Sequence, residues 1–347
     1  MAGRLSRTLI ISDLHLGSPS RTTVLDRSEP LERLLAEVQR TDRLVLLGDI
    51  VELLEGRAQA AMAEASRILG TLGAALGRQG EVILVPGNHD RPLIRAWLRR
   101  RGGDLGIDDL VPADASPGLA SLVAQLGPGV VEVRYPGVHL GDSVWATHGH
   151  YLDRHLFPVS NWGRLRSSRA HDPQEQVTPW QYERPRRVHL SPAMRWLPEP
   201  AAARLRGLGA LVRATTMPAL QEGVLDPRIA PLTARLLSLQ VRRHALPAMA
   251  RVVRRLGVEA EWIVFGHVHR LGPLDTDDPE QWRDPQARIG FLNTGSWLYE
   301  PRLINRVQPP HPYWPGGAVV LEDRLPPRAV GLLDDLPAER LHTPSEV

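Results

Sequence analysis

Blocks of apolar residues punctuate the first 150 positions of the chain. Leu9-Ile10-Ile11, Leu44-Val45-Leu46-Leu47 and Val82-Ile83-Leu84-Val85 are short, apolar throughout and free of polar alternation, which predicts strands buried on both faces. Between them the spacing becomes helical. Leu31, Leu34, Leu35 and Val38 recur within 30–40, Met62, Ile68, Leu69 and Leu72 within the Ala-rich stretch 58–76, and Leu93, Ile94, Trp97 and Leu98 share a face after Pro92. This alternation predicts an α/β layer structure. Two further strands, at 130–133 and 138–140, flank a Pro136-Gly137 turn and lead towards 143–147, so part of the sheet structure is expected to be antiparallel or mixed.

From residue 151 the strand signals vanish, and Pro, Arg and Trp rise. Helical spacing appears at 200–211 and 229–256, where Met249, Val252, Val253 and Leu256 make a stripe with Pro247 near its start; core packing accounts for such a stripe. Strand patterns resume at 262–265, 289–292 and 318–321, the last two separated by a Pro-rich loop at 309–315. The expected organisation is a core made of 1–150 and 259–323, a helical insertion at 151–258, and a C-terminal tail at 324–347 with little periodic structure, docked or loose.

Polar chemistry sits where the apolar runs stop. The first ends in Ser12-Asp13-Leu14-His15, the second in Gly48-Asp49 and the third in Pro86-Gly87-Asn88-His89-Asp90. Val144-Trp145-Ala146-Thr147 ends in His148-Gly149-His150, and Trp262-Ile263-Val264-Phe265 in Gly266-His267-Val268-His269. Side chains released at the carboxyl ends of buried strands line sites in α/β proteins, and glycine lets the backbone turn sharply there. A single Asp or His in such a place is more often a cap or a satisfied polar group. Five together are a different matter. Asp13, His15, Asp49, Asn88, His148, His267 and His269 offer two carboxylates, one carboxamide and four imidazoles, a donor set that suits first-row transition ions better than Mg or Ca. Paired ions of this kind activate water and clamp phosphoryl oxygens. Asp90 reads as a helix cap or the partner of an arginine.

In order and spacing these five motifs resemble the calcineurin-like metallophosphoesterases, over residues 13–269. The resemblance implies two packed mixed β-sheets flanked by helices, a four-layer sandwich with the motif loops gathered at one edge. It implies Asp13, His15 and His269 around one divalent ion, Asn88, His148 and His267 around a second, and Asp49 bridging them. Two Mn, Fe or Zn ions would hold a hydroxide that attacks phosphorus in line. His89 would protonate the leaving oxygen or bind the scissile phosphate, and Glu52 would orient the catalytic histidine. His150 joins Asn88 and His89 as a substrate-side candidate. Asn293-Thr294-Gly295-Ser296, where the family closes the site edge, reads as a tight turn. Departures narrow the branch. The protein Ser/Thr phosphatases of the superfamily carry arginines where this chain has Leu53 and Leu84-Val85-Pro86. Ser12-Asp13-Leu14-His15-Leu16-Gly17, Gly48-Asp49 and Glu52 look more like the UDP-2,3-diacylglucosamine hydrolase group. That group, however, has Arg in place of His89 and Asp in place of His150, so a neighbour of it is implied.

Charge is partitioned along the chain. All 42 basic residues are arginine, and the net charge is +3. Residues 151–258 hold 18 Arg against 7 Asp and Glu, so the remainder is net acidic. The insertion also carries Tyr151, Phe157, Trp162, Trp180, Tyr182 and Trp196. Arginine binds phosphate through paired N–H groups, and aromatics cover planar or apolar groups. The insertion is therefore expected to shape substrate choice, for a phosphorylated small molecule or a nucleotide- or lipid-linked phosphate. The same face suits nucleic acid, which would make the chain a metal-dependent nuclease, or peripheral contact with an anionic membrane. A catalytically silent scaffold of the same fold is the remaining alternative, though all seven ligand positions are intact. Monoester, diester and pyrophosphate cleavage stay open. With no cysteine, disulfides and thiolate metal sites are excluded. No apolar stretch approaches the roughly 18 residues of a spanning helix, and the run after Arg7 is short for a signal-peptide core. A cytoplasmic location is expected.

Overall fold

A strand that is apolar on both faces needs a layer on each side, and two sheets provide this for each other. The computed structural model describes residues 6–156, 176–184 and 230–341, apart from Arg21, Pro128, Pro285, Ala287 and Arg324. In a seven-stranded sheet, β1 (Arg7–Ile11), β2 (Arg43–Leu46), β3 (Glu81–Leu84) and β5 (Val130–Tyr135) run parallel as neighbours. One edge is closed by β4 (Asp109–Leu110), antiparallel to β5. At the other end, β11 (Gly317–Glu322) and β12 (Arg328–Gly331) each pair antiparallel with their neighbours. The second sheet has five strands. There β7 (Val144–Thr147), β8 (Trp262–Phe265) and β10 (Ile289–Asn293) are parallel, with β6 (Gly137–Leu140) and β9 (Arg283–Asp284) antiparallel at the edges.

Alternate residues of each strand face different layers. Leu9, Ile11, Leu44, Leu46, Val82 and Leu84 pack outward against α1 (Ser28–Val38), α2 (Ala58–Leu76), α3 (Arg91–Arg101) and α4 (Pro117–Gln125). Ile10, Val45, Leu47, Ile83 and Val85 face inward and meet Val138, Leu140, Val144, Ala146, Val264 and Leu292 of the second sheet. The outer face of that sheet buries Trp145, Ile263, Phe265 and Phe291 under Met249, Val252, Val253 and Leu256. Two mixed sheets flanked by helices make the expected sandwich.

The Pro136-Gly137 turn carries the chain from one sheet to the other, because β5 and β6 belong to different sheets. Within 151–258, where an insertion is expected, the described residues form α5 (Asp153–Leu156), α6 (Pro179–Glu183), α7 (Ala230–Gln240) and α8 (Leu246–Leu256), the last two joined by a π-helical turn at Val241–Ala245. The helix expected at 200–211, and Phe157, Trp162 and Trp196, lie outside the described residues. A short helix, α9 (Pro301–Ile304), packs on α7. Residues beyond 323 contribute β12 and α10 (Ala338–Leu341), with Leu333, Leu336 and Leu341 buried in the first core. Among the described residues, no helix is long and apolar enough to cross a membrane.

Candidate metal centre

The carboxyl ends of β1, β2, β3, β7 and β8 open on one edge of the sandwich, and their loops interlock. The Asp13 and His15 amides donate to Gly48 O and Asp49 O at 3.0 and 2.9 Å, and the Gly266 amide donates to His148 O at 2.9 Å. Polar contacts cross between the sheets, two of them at the motif residues. His267 N–H donates to Asp13 Oδ2 at 3.0 Å, and His148 Nδ1 lies 3.1 Å from Leu47 O. Glycine makes this approach possible. A Cβ on Gly87 would stand 2.3 Å from Asp49 Oδ1, and one on Gly266 would stand 2.3 Å from Ser12 Oγ.

The backbone is strained where the motif residues sit. Asp13, His15, Asp49, His267 and His269 have φ of 54°, 44°, 50°, 69° and 55°, a region that non-glycine residues rarely adopt. Each such residue costs roughly 1–3 kcal/mol and persists only where its surroundings over-determine it. Here the cross-loop hydrogen bonds do so.

Among the described residues, donor atoms converge from these loops in three groups, one of them His15, Glu52 and His89. Asp13, His15 and His269 form another, and Asp49, His148 and His267 the third. His269 Nε2 lies 3.1 Å from Asp13 Oδ1. His148 Nε2 lies 3.1 Å from Asp49 Oδ2 and 3.2 Å from Asn88 Oδ1. Asp49 Oδ2 also stands 3.9 Å from both His15 Nε2 and His89 Nε2, between the groups. Asp13, Asp49 and His148 are buried, while Asn88, His89 and His269 are half-buried on the open side.

This arrangement fits cations. His15 Nε2 is buried and has no hydrogen-bond partner, and the buried Asp13 Oδ1 has only the His269 ring 3.1 Å away, an expensive state for polar atoms. Leu47 O only accepts, so His148 carries its proton on Nδ1 and turns the Nε2 lone pair towards Asp49 Oδ2 and Asn88 Oδ1. A lone pair on Nε2 facing those two oxygens at 3.1 and 3.2 Å is repelled unless a proton or a metal ion stands between them. With no ion, the proton is favoured: burial pulls the His148 imidazole down, but Asp49 and Asp13 raise it to about 9. Burial likewise pushes the Asp49 carboxyl up, yet His148, His89 and His15 hold it well below the ordinary carboxylate range.

The supporting residues are equally specific. Glu52 Oε2 lies 3.0 Å from His15 Nδ1 and 2.6 Å from His89 Nδ1, while Oε1 accepts the Leu54 and Glu55 amides at 3.0 Å. Asp90 makes no side-chain helix cap. It accepts instead from the amides of Ile50, Val51 and Gly87 at 3.1, 2.8 and 3.1 Å, stapling the Asp49 loop to the Asn88 loop. His150 Nε2 faces Tyr135 Oη at 3.3 Å and its Nδ1 is buried without a partner. The 293–296 turn ties loops together. Asn293 donates to Gly266 O at 2.7 Å, Thr294 Oγ1 meets Ser12 Oγ at 2.6 Å, and Trp297 N–H donates to Asp13 O at 3.2 Å.

Comparison with known proteins decides the family. The family of calcineurin-like phosphoesterases matches residues 6–271, most of the chain and every motif loop. The chain belongs to that family. It is accordingly a metal-dependent phosphoester hydrolase, and the family together with these donor groups points to divalent ions in a dimetal centre. No curated protein matches the chain. Among solved structures, a cold-active protein-tyrosine phosphatase of the psychrophile Shewanella sp. aligns at 13% identity, covering 92% of this chain and 76% of that one, with a TM-score of 0.30. A dimetal phosphatase from Danio rerio aligns at 12% identity, covering 94% and 99%, with a TM-score of 0.34. Likeness at that level adds nothing to the fold or the function.

Two residues near this phosphoesterase site escaped the sequence reading. Asp153 Oδ1 lies 3.0 Å from His267 Nε2. Glu183 of α6 is buried among Arg91, Tyr135 and Tyr151, with its Oε1 3.8 Å from His150 Nε2. Both belong to the Arg-rich stretch, where a lone acid carries no motif. Asp153 stands five positions after His148, and that short spacing was the one available signal.

Proposed function

We propose that this chain cleaves a P–O bond with two divalent transition ions. Asp13, His15 and His269 hold one, Asn88, His148 and His267 hold the other, and Asp49 is shared. The observation that carries this reading is the convergence of Asp13, His15 and His269 in one group and Asp49, His148 and His267 in another, with His148 Nε2 3.1 Å from Asp49 Oδ2 and 3.2 Å from Asn88 Oδ1. When bound, the ions would supply Lewis acidity at the phosphoryl oxygens and a more acidic water. The protein's own part is to hold and move protons. Glu52, ionised and able only to accept, keeps a proton on His89 Nδ1 and turns His89 Nε2 towards the cage. Burial lowers the His89 imidazole, but Glu52, Asp49 and Asp90 raise it to about 9, so Nε2–H is available to a leaving oxygen. Bound cations would draw that value down from there. Asn88 and His89, half-buried on the open side, meet the substrate first, with His150 beside His148 and His267.

The insertion sets which phosphoester enters. Its arginine surplus favours an anionic group attached to a nucleoside or lipid. The test is a panel of aryl monoester, diester and pyrophosphate substrates with Mn, Co, Ni, Zn and Mg, with single-stranded nucleic acid and lipid-linked phosphates as further arms. Turnover that depends on added metal is expected for at least one class. Metal-replenished protein that cleaves none of them would overturn the reading.

A further inference from the structure

Two histidines of the cage have one ring nitrogen committed away from it. His15 Nδ1 lies 3.0 Å from Glu52 Oε2, and His148 Nδ1 lies 3.1 Å from Leu47 O. Ionised carboxylates and carbonyls only accept, so in both rings Nδ1 holds the proton and Nε2 keeps the lone pair. Nε2 is also the atom nearest Asp49 Oδ2, at 3.9 and 3.1 Å. His267 is wired the other way round. Its Nε2 lies 3.0 Å from Asp153 Oδ1, which places the proton on Nε2 and leaves the lone pair on Nδ1.

Asp153 is well held for such a task. Gly149 turns the chain at φ 106° into a 3-10 turn at His150–Leu152, and the Leu152 amide donates to Gly149 O at 3.0 Å. Tyr151 and Leu152 are buried in the core beneath α8, so the turn delivers Asp153 at a fixed height beside His267. As an ion pair this contact would contribute little, because the Asp153 side chain is 46% exposed. Selecting a tautomer needs only the hydrogen bond.

Resting on the dimetal reading, we propose that Asp153 is a positioning residue of the metal centre. It holds His267 in the Nε2-protonated form, so that Nδ1 is the nitrogen offered to the ion shared with Asp49 and His148. Partners of this kind fix ring orientation and ligand basicity, and losing one typically costs roughly 10–100-fold in metal affinity. Because Asp153 is also the root of the insertion, the segment that selects substrate and the cage that activates it share a residue pair.

The test titrates Zn²⁺ alone into metal-stripped full-length protein. Asp153→Ala should weaken one of two sites by roughly 10–100-fold and leave the other unchanged. Asp153→Asn, whose carboxamide oxygen still accepts, should lose less. In ¹⁵N-labelled wild type, the His267 ring should show its proton on Nε2, with Nδ1 shifting on Zn²⁺ loading. A proton on Nδ1, or two unchanged affinities in Asp153→Ala, would overturn the assignment. Should Asp153→Ala fail to fold, the wild-type ring spectrum decides alone. A wild type that takes up fewer than two Zn²⁺ would instead overturn the dimetal reading itself.

Discussion

Single atoms decide most of what this site can do. The Glu52 carboxylate sits between two imidazoles, 3.0 Å from His15 Nδ1 and 2.6 Å from His89 Nδ1, so one acid is placed to orient both the proposed metal ligand and the proposed proton donor. If His89 delivers a proton, His89→Ala should retain bound metal and lose about 10²–10⁴-fold in turnover with an alkyl ester. With a nitrophenyl ester, whose leaving group needs little protonation, the loss should be much smaller. Equal losses for both esters, read as kcat beside metal content, would reduce His89 to a binding group. Gly87 gives a second test at this scale. An alanine there puts Cβ 2.3 Å from Asp49 Oδ1 and 2.5 Å from Asp49 N, so that loop would have to shift. Gly87→Ala should lower metal occupancy and cost about 1–3 kcal/mol of stability. An unchanged denaturation midpoint with full metal content would show that the loop relaxes.

At the scale of elements, α6 is anchored to the core by a buried acid. Glu183 accepts from Arg91 Nε at 2.8 Å and Tyr151 Oη at 2.8 Å, and it also meets Tyr135 Oη. Burial pushes this carboxyl up, but His150, Tyr135 and Arg91 bring it down to about 2 from 4.5. A depressed folded value contributes stability that is present above the unfolded value and is lost as pH falls through the folded one. The contribution is on the order of 1–3 kcal/mol. Wild type should therefore exceed Glu183→Gln in urea-denaturation stability at pH 6, and the gap should narrow between pH 4.5 and 2. A gap that stays constant over that range would assign the difference to packing. None of this was legible in the chain, because one Glu among many arginines has no periodicity to mark it. The parallel strands were legible for the opposite reason: Leu9-Ile10-Ile11 and Val82-Ile83-Leu84 are buried on both faces and leave unbroken apolar runs. Strand β12 left a weaker trace, since an edge strand carrying an exposed Arg328 looks like loop.

For the molecule as a whole, the members of the candidate site could be read from strand-end motifs, but the partition into two sheets could not. Local pattern gives no sign that β5 and β6, separated by one proline, belong to different sheets. That partition bears directly on what metal does for stability. Asp13, His15, Asp49 and Asn88 come from loops of the seven-stranded sheet, and His148, His267 and His269 from loops of the five-stranded one. Each proposed ion therefore takes ligands from both sheets and acts as a rivet across their shared edge, where the direct polar links include His267 N–H to Asp13 and His148 to Leu47. An ion that binds only the folded state stabilises it by about 2.7 kcal/mol at one hundred times its Kd. Stripping metal should therefore lower the unfolding temperature by several degrees, and adding Mn²⁺ or Zn²⁺ back should restore it in proportion to the logarithm of free ion. His148→Ala removes a ligand from one sheet's side of the rivet, so it should flatten that response as well as abolish turnover. The cation response is the sharper of the two measurements, because it needs no knowledge of the substrate. An unfolding temperature in wild type that ignores chelation and metal alike would show that no ion spans the two sheets.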